Sequence, residues 1–188
     1  MNLVERVKGI LLQPKSEWLA IEREPGDASY LFSNYVAILA AIPPVCAFIG
    51  TSIIGFGLYR VGIVSGLIHA VVIYVLTLVG VFVTAYIIDY LAGVFGGQRN
   101  LDNAMRVSAY APTAAWLAGV FNIIPLLGIL GILGLYSLYL LHTGIAALMK
   151  PPADKAVIYT IAVIVCIIVI WFVIVGVLGA IFGFGMMM

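Results

Sequence analysis

Three ionisable side chains lie inside long apolar stretches of this sequence, where they could bind an ion or relay a proton. They are His69, Asp89 and His142. A charge at the centre of a bilayer costs about 2.5–3.5 kcal/mol on insertion scales, so such residues usually serve a function. The structural alternative is that Asp89 pairs with Arg99 or Arg106, and that each histidine hydrogen-bonds a neighbouring helix. The two histidines are predicted to approach opposite leaflets, so we predict no shared metal site.

The motifs of common enzyme classes are missing from the sequence. It has no HExxH, no GxSxG, no phosphate-binding GxxxxGK and no intramembrane pair of acids. Cys46 and Cys166 stand apart in apolar runs and are interpreted as small buried hydrophobes. The sequence therefore predicts a protein that is not an enzyme and that carries no cofactor and no metal.

The composition indicates that lipid surrounds these residues. Apolar residues make up 64% of the 188 and charged residues 9%, against about 45–50% and about 25% in soluble domains. A net charge of +1 provides no basic field for phosphates, so nucleic acid is not a predicted partner.

The uncharged runs predict an all-α, polytopic bundle of five transmembrane helices, because a spanning helix needs about 20 mostly apolar residues. Within the uncharged runs, both odd- and even-numbered positions are apolar. The strands of a membrane β-barrel instead alternate apolar and polar residues, so a barrel does not fit. Residues 1–28 are predicted to form a separate cytoplasmic segment, and residues 29–188 the membrane domain. The predicted spans are 30–54, 63–88, 103–122, 126–148 and 157–182.

The basic residues predict the orientation of the bundle. Of the nine Lys and Arg residues, only Arg60 would lie outside if the N-terminus is in the cytoplasm. The positive-inside rule therefore predicts the N-terminus inside and the C-terminus outside.

The first 28 residues have helical periodicity of their own. Leu3, Val7 and Ile10 recur at helical spacing, Pro14 suits the first turn of a second helix that carries Trp18, and residues 25–27 form a break. Two interpretations stay open. The helices either lie on the cytoplasmic leaflet with Trp18 at headgroup depth, or pack on the bundle as a lead-in.

Basic residues of the predicted inner loops could bind the headgroups of anionic lipid, with Trp18 as a further lipid or partner contact. The alternative is that these residues only set the topology. They are Arg99, Arg106, Lys150 and Lys155.

Glycines and prolines in the spans predict close helix packing and kinks. The glycines could pack helices within one chain or form the face of a homo-oligomer. The predicted packing glycines are Gly62, Gly66, Gly128, Gly131, Gly134, Gly179 and Gly183. The predicted kinks lie at Pro43, Pro44, Pro112 and Pro125.

Several motifs of this chain resemble those of the bacterial Yip family, the Ypt/Rab-interacting proteins. They are the run AAIPPVCAFIGT at residues 40–51, Gly96-Gly97, RVSAYAP at 106–112, Ile124-Pro125, YLLHTG at 139–144, and the Pro14…Trp18…Ile21 pattern. The resemblance implies a multi-pass protein of the bacterial inner membrane. The Asp-Leu-Tyr-Gly-Pro motif of eukaryotic relatives is missing, so binding of Rab GTPases is not implied.

Together these features predict a non-enzymatic membrane organiser that binds lipid, anionic lipid included, or a membrane-protein partner. The alternative is a small transporter or channel subunit that uses kinked helices with His69, Asp89 and His142. Five unlike spans cannot provide two inverted repeats, which does not favour a transporter.

Overall fold

Helices make up the regular structure of the described chain. The computed structural model describes residues 2–24, 28–55 and 60–183, with side chains of the last helix described to Gly176 and again at Gly179. Across these ranges the elements are α-, 3-10 and π-helices, and none is a strand. The predicted all-α class is confirmed. The predicted break at residues 25–27 lies outside the described residues.

The chain begins with a helical hairpin of α1 (Leu3–Leu12) and α2 (Pro14–Arg23). The side chain of Asn2 caps α1 by accepting a hydrogen bond from the Val4 amide at 3.0 Å. Pro14 occupies the first turn of α2, where its missing N–H costs no intrahelical hydrogen bond.

Helix α3 (Ala28–Ile54) is the first of the long apolar helices. Its regular α-helix is interrupted just before the segment Ile42–Phe48, so Pro43 and Pro44 lie in the first turn of that segment. A proline is tolerated there because the first amides of a helix have no intrahelical acceptor. The π-helical parts of α3 are Phe32–Val36 and Ile49–Ile54.

Helices α4 (Ile63–Val94) and α8 (Ala156–Gly183) are unbroken α-helices that pack against each other. Between them the chain is less regular. Helices α5 (Leu101–Tyr110) and α6 (Thr113–Ala118) are separated at Ala111 and Pro112, and a 3-10 turn (Gly119–Ile123) follows α6.

Helix α7 (Pro125–Met149) changes its hydrogen-bond pattern twice. It starts as a 3-10 helix over Pro125–Leu135, continues as α-helix over Tyr136–Gly144, and ends as π-helix over Ile145–Met149. Lys150 ends it in the left-handed region, with a φ of 47°.

Four of these helices are long and apolar enough to cross a membrane: α3, α4, α7, and α8 over Ala156–Gly176. The predicted span 103–122 falls on α5 and α6, which Pro112 divides, and it is not one of the four. The structure thus interrupts this segment at Pro112, where the sequence predicted a kink within one span.

The core is concentrated at one end of the bundle, where the hairpin packs. We call this the hairpin end, and the opposite end, around Ile54 and Ile63, the far end. At the far end, the 3-10 part of α7 has no buried residue. The largest fully buried side chains include Trp18, Tyr35, Tyr159, Ile10, Ile21, Ile88, Leu140, Ile145, Leu148 and Met149.

Candidate functional site at the hairpin end

A buried ion-pair cluster joins the two helices of the hairpin. The guanidinium of Arg6 is 5% exposed and pairs with the carboxylates of Glu17 and Glu24. It also lies 5.6 Å from the ring centroid of Tyr110 on α5. Burial by itself lowers the pKa of Arg6, but the hydrogen bond to Glu24 and the nearby negative charges outweigh it and raise the pKa above its usual value. Arg6 is therefore a permanent charge, which needs both carboxylates when buried.

Trp18 joins the hairpin to α7. Its side chain is fully buried, its Nε1 donates a hydrogen bond to Thr143 Oγ1 at 3.1 Å, and its ring meets that of Tyr110 edge-on at 6.2 Å. A Cβ built on Gly144 would come within 2.7 Å of the indole, so glycine leaves room for this ring. The structure corresponds to the packed interpretation of the hairpin, because Trp18 lies inside the protein against α5 and α7.

Two predicted lipid contacts bind the end of α2, although Lys150 also stays 48% exposed. Arg106 donates from Nη1 to the Ile21 carbonyl at 2.8 Å and from Nη2 to the Glu24 carbonyl at 2.7 Å. These are carbonyls that a helix end leaves without intrahelical donors. Lys150 forms an ion pair with Glu22 at 2.5 Å. The end of α2 is therefore held from both α5 and α7.

Asp89 lies in an ion pair at the end of α4. Its Oδ2 accepts from Nη2 of Arg99 at 2.7 Å and from Nε at 3.1 Å. Arg99 keeps 60% of its side chain exposed. The structure therefore corresponds to structural pairing of Asp89, and Arg99 is both a partner of Asp89 and partly open to the surroundings. Lys155 is exposed just before α8.

The two histidines lie near opposite ends of the bundle. His142 Nδ1 is 3.0 Å from Thr160 Oγ1, which links α7 to α8 at the hairpin end. His69 is exposed near the start of α4, at the far end. Among the described residues no three His, Cys, Asp or Glu side chains gather where they could hold a metal ion.

Hydroxyl bonds across the Pro112 break were not foreseen from the sequence. Tyr35 OH on α3 is 2.7 Å from Thr113 Oγ1, and Thr113 donates to the Tyr110 carbonyl at 2.6 Å. On the other side of the break, the Ala115 amide donates to Ser137 Oγ on α7 at 2.9 Å. Interhelical hydroxyls therefore join α5 and α6 to their neighbours where the helix is interrupted.

The predicted packing glycines divide into two groups. Gly66 and Gly134 touch neighbouring elements: a Cβ on Gly66 would overlap Ser52, and one on Gly134 would reach Ala115 at 3.1 Å. Ideal Cβ atoms on the others meet nothing closer than 4.0 Å, and the surroundings of Gly183 lie outside the described residues. The glycines with open surroundings are Gly62, Gly128, Gly131 and Gly179. The sequence analysis missed other close approaches, among them those at Gly50, Gly119 and Gly144.

The outer surface of the hairpin alternates apolar and cationic side chains. In each helix these residues are four apart and share a face, and all of them are exposed. The apolar residues have large exposed fractions, which are 77% for Leu12, 56% for Val4 and 50% for Leu19. The acid Glu5 is exposed as well. We call the alternating set the hairpin stripe, which consists of Val4, Lys8, Leu12, Lys15, Leu19 and Arg23.

Exposed tyrosines mark a level on the bundle close to the hairpin. Tyr86 and Tyr90 on α4 are 60% and 65% exposed, and Tyr136 and Tyr139 on α7 are 37% and 41% exposed. Tyr136 OH donates to the Leu11 carbonyl at 3.0 Å, which puts the hairpin turn at the same level. Tyrosine is enriched where a membrane meets water.

The length of α4 also places the exposed tyrosines near the edge of the hydrocarbon layer. Its 32 residues extend about 48 Å at 1.5 Å per residue, whereas the hydrocarbon layer is about 30 Å thick. The part from Ile63 to Tyr86 is about 35 Å long, so the tyrosines lie near one boundary of the hydrocarbon. The hairpin turn, whose Leu11 carbonyl accepts the Tyr136 hydrogen bond, then lies at the same boundary.

Comparison with known proteins agrees with this architecture. The family model of the Yip1 domain matches residues 8–184. Two curated proteins called inner membrane protein YohC, from Escherichia coli K12 and from Escherichia coli O6:H1 strain CFT073, are 33% identical over 128 residues. The match covers 65% of this chain and 66% of each relative. No solved structure matches the chain. Because the family model covers almost the whole sequence, and the motifs already resembled that family, the chain belongs to the Yip1 domain family.

Proposed function

We propose that this protein is a non-enzymatic organiser of a bacterial inner membrane, which gathers anionic lipid at the cytoplasmic leaflet through the hairpin stripe. The observation that carries the proposal is the exposed alternation of Leu and Lys or Arg along both hairpin helices. Basic residues near an anionic leaflet contribute about 1 kcal/mol each, and the apolar neighbours add burial in the interface.

The proposal makes the hairpin a rigid platform for lipid. Trp18 and Arg106 fix its inner face to the bundle, and Arg6 joins its two helices and lies over Tyr110, so the stripe is preformed. A preformed surface loses less conformational entropy on binding than a segment that must fold on the membrane. Arg106 and Lys150 contribute to this platform, and Lys155 is an exposed cation beside it, next to Asp154, whereas the charge of Arg99 is paired with Asp89.

We also propose five crossings, counting α5 and α6 as one interrupted span. Near its start, Asn103 Nδ2 donates to the Leu148 carbonyl at 3.1 Å at the hairpin end. Near its other end, Asn122 lies against Gly50 in the last part of α3, at the far end. A segment that joins these two ends of the bundle covers the same distance as α3.

The distribution of charge supports an N-terminus in the cytoplasm and a C-terminus outside. The ion pairs and the exposed cations described above belong to the hairpin end, whereas Arg60 is at the far end. The positive-inside rule places the side rich in Lys and Arg in the cytoplasm. A reporter fused after the last residue should be active only across the membrane, and cytosolic activity would contradict five crossings.

The transporter alternative gains no support from the placement of its residues. Asp89 is paired with Arg99, and His69 and His142 lie toward opposite ends of the bundle. A path through the protein would need polar groups that face one another along its length.

Lipid analysis tests the proposed function. The protein is extracted in polymer-bounded discs with its surrounding lipid, and phosphatidylglycerol and cardiolipin are measured relative to the bulk membrane. We expect enrichment for the wild type and its loss in the combined variant Lys8→Gln, Lys15→Gln, Arg23→Gln. Arg60→Gln, which removes a charge at the far end, is the control and should keep the enrichment. Equal enrichment in all three proteins would reject the hairpin stripe as a lipid site, and cross-linking to another protein through the stripe would point to a protein partner.

A further inference from the structure

A cavity of about 390 Å³ opens between four elements in the apolar part of the bundle. Its walls come from α4 at Gly80, the Pro112 break with Trp116, α7 at Leu138, and α8 at Ile170 and Trp171. Sites for small molecules usually occupy about 300–1,000 Å³ and are mainly apolar. The cavity is therefore large enough for a ligand of that kind.

Three of the four hydroxyl groups that line the cavity, those of Thr77, Ser108 and Ser137, have hydrogen-bond partners within the protein. Thr77 Oγ1 donates to the Ile73 carbonyl at 2.8 Å, and Ser108 Oγ to the Met105 carbonyl at 3.0 Å. Ser137 Oγ accepts from the Ala115 amide at 2.9 Å. These groups already have hydrogen-bond partners, so the cavity suits an occupant that has no polar atoms to satisfy.

The position of the cavity indicates how such an occupant enters. Ser137 and Leu138 in its wall alternate with the exposed Tyr136 and Tyr139, so one end of the cavity adjoins the tyrosine level. Trp171, which is 58% exposed, makes the wall continuous with the apolar outer surface of α8. A chain can therefore lie in the cavity while its polar end stays at the headgroups.

We propose that this cavity binds one acyl chain of a glycerophospholipid from the surrounding leaflet. The proposal rests on the membrane placement given under the proposed function, but not on the hairpin stripe. It deepens that function, because a chain held between α4, α7 and α8 fixes one lipid of the leaflet beside the hairpin.

Tryptophan quenching tests the proposal, since bromine on an acyl chain quenches indole only at close contact. A variant with Trp18→Phe and Trp171→Phe keeps Trp116, which is 6% exposed and lines the cavity. In nanodiscs of phosphatidylglycerol and phosphatidylethanolamine with brominated chains, Trp116 should lose most of its emission. A variant that keeps only Trp18, which is fully buried away from the cavity wall, should keep its emission.

Filling the cavity should restore the emission of Trp116. A Cβ built on Gly80 meets nothing within 4 Å, so Gly80→Leu can extend into this space without a backbone clash. Gly176→Leu on α8 is the matched control, because Gly176 also has open surroundings and does not line the cavity. We expect quenching to persist in Gly176→Leu and to disappear in Gly80→Leu.

Counting bound lipids by native mass spectrometry provides a second measurement that does not need the tryptophan substitutions. Gly80→Leu should retain one phospholipid fewer than Gly176→Leu. An unquenched Trp116 in brominated lipid, or equal lipid counts in the two glycine variants, would overturn the proposal. If the stripe variant loses its anionic enrichment while Trp116 is quenched normally, both proposals are supported. If Trp116 is quenched normally but the wild type shows no enrichment, only the hairpin stripe is rejected as a lipid site.

Discussion

The hairpin end and the far end of this protein are stabilised in different ways. At the hairpin end, directional bonds join Arg6 of α1 to Glu17 and Glu24, Trp18 of α2 to Thr143 of α7, and Glu22 to Lys150. At the far end, the 3-10 part of α7 buries no residue and exposes Leu126 at 75% and Ile129 at 79%. One end has a specific polar core, and the other relies on lipid to cover it.

This difference reflects what drives packing in each setting. Lipid tails are as apolar as leucine, so burying apolar side chains provides little drive for helices to associate in hydrocarbon. Polar groups at the edge of the membrane can still discriminate between arrangements, because a buried group without its partner is costly. We therefore expect substitutions at the hairpin end to have large effects and substitutions on the exposed 3-10 part of α7 to have small effects.

Truncation of Trp18 should have the largest effect. Trp18→Ala removes a fully buried ring and its hydrogen bond to Thr143, and a Trp-to-Ala change in a core costs about 3–5 kcal/mol. The hairpin should detach, which limited proteolysis between α2 and α3 would detect. Trp171→Ala, which removes a ring that is 58% exposed, is the control and should leave that cleavage slow.

Removal of the Arg6 charge should be nearly as damaging. Arg6→Met keeps much of the side-chain volume but leaves Glu17 and Glu24 without their shared cation. Breaking a fully buried ion pair costs about 3–5 kcal/mol, and the loss here should be smaller because Glu17 and Glu24 are 22% and 46% exposed. A lower unfolding temperature in detergent is the expected result, with Lys8→Met as the exposed control on the same helix. If Arg6→Met and Lys8→Met were equally stable, the Arg6 cluster would not hold the hairpin.

The long apolar helices could be predicted because bilayer thickness sets a local requirement on length and hydropathy. Span 63–88 was predicted with the correct start, and α4 continues to Val94. The contacts of Arg6 with Glu24 and of Trp18 with Thr143 could not be predicted in the same way. They join residues that are distant in the sequence, and hydropathy treats a charged residue such as Arg6 as part of the surface.

The glycine repeat of α7 shows a second limit of sequence reasoning. Spacing by three, at Gly128, Gly131 and Gly134, was interpreted as a packing face. The structure is a 3-10 helix, which has three residues per turn and aligns such residues along one line. Only Gly134 of the three has a close neighbour on another element. The three-residue spacing therefore indicates the type of helix and does not identify which glycines contact other helices.

Valine substitution at two glycines of α7 compares the two ends directly. Gly144→Val places a branched side chain against the Trp18 indole, which lies within 2.7 Å of an ideal Cβ, whereas Gly131→Val meets nothing within 4 Å. Overpacking a core typically costs about 1–3 kcal/mol. Gly144→Val should therefore lower the unfolding temperature and Gly131→Val should not. Similar losses in both variants would mean that the far end is as tightly packed as the hairpin end.

The smallest effect is expected at the half-exposed ion pair of Asp89 and Arg99, although it also lies at the hairpin end. Arg99 is 60% exposed and Asp89 12% exposed, so the pair should contribute somewhat more than the about 0–1 kcal/mol of a fully exposed ion pair. Arg99→Gln should thus change the unfolding temperature by less than any substitution at Arg6 or Trp18. A double-mutant cycle with Asp89→Asn isolates the pair itself, because it subtracts what each substitution does alone. If the coupling energy of Asp89 and Arg99 is as large as the loss of stability in Arg6→Met, charges throughout the hairpin end stabilise the protein. If the coupling energy is small, the stability comes from the buried contacts beneath the hairpin.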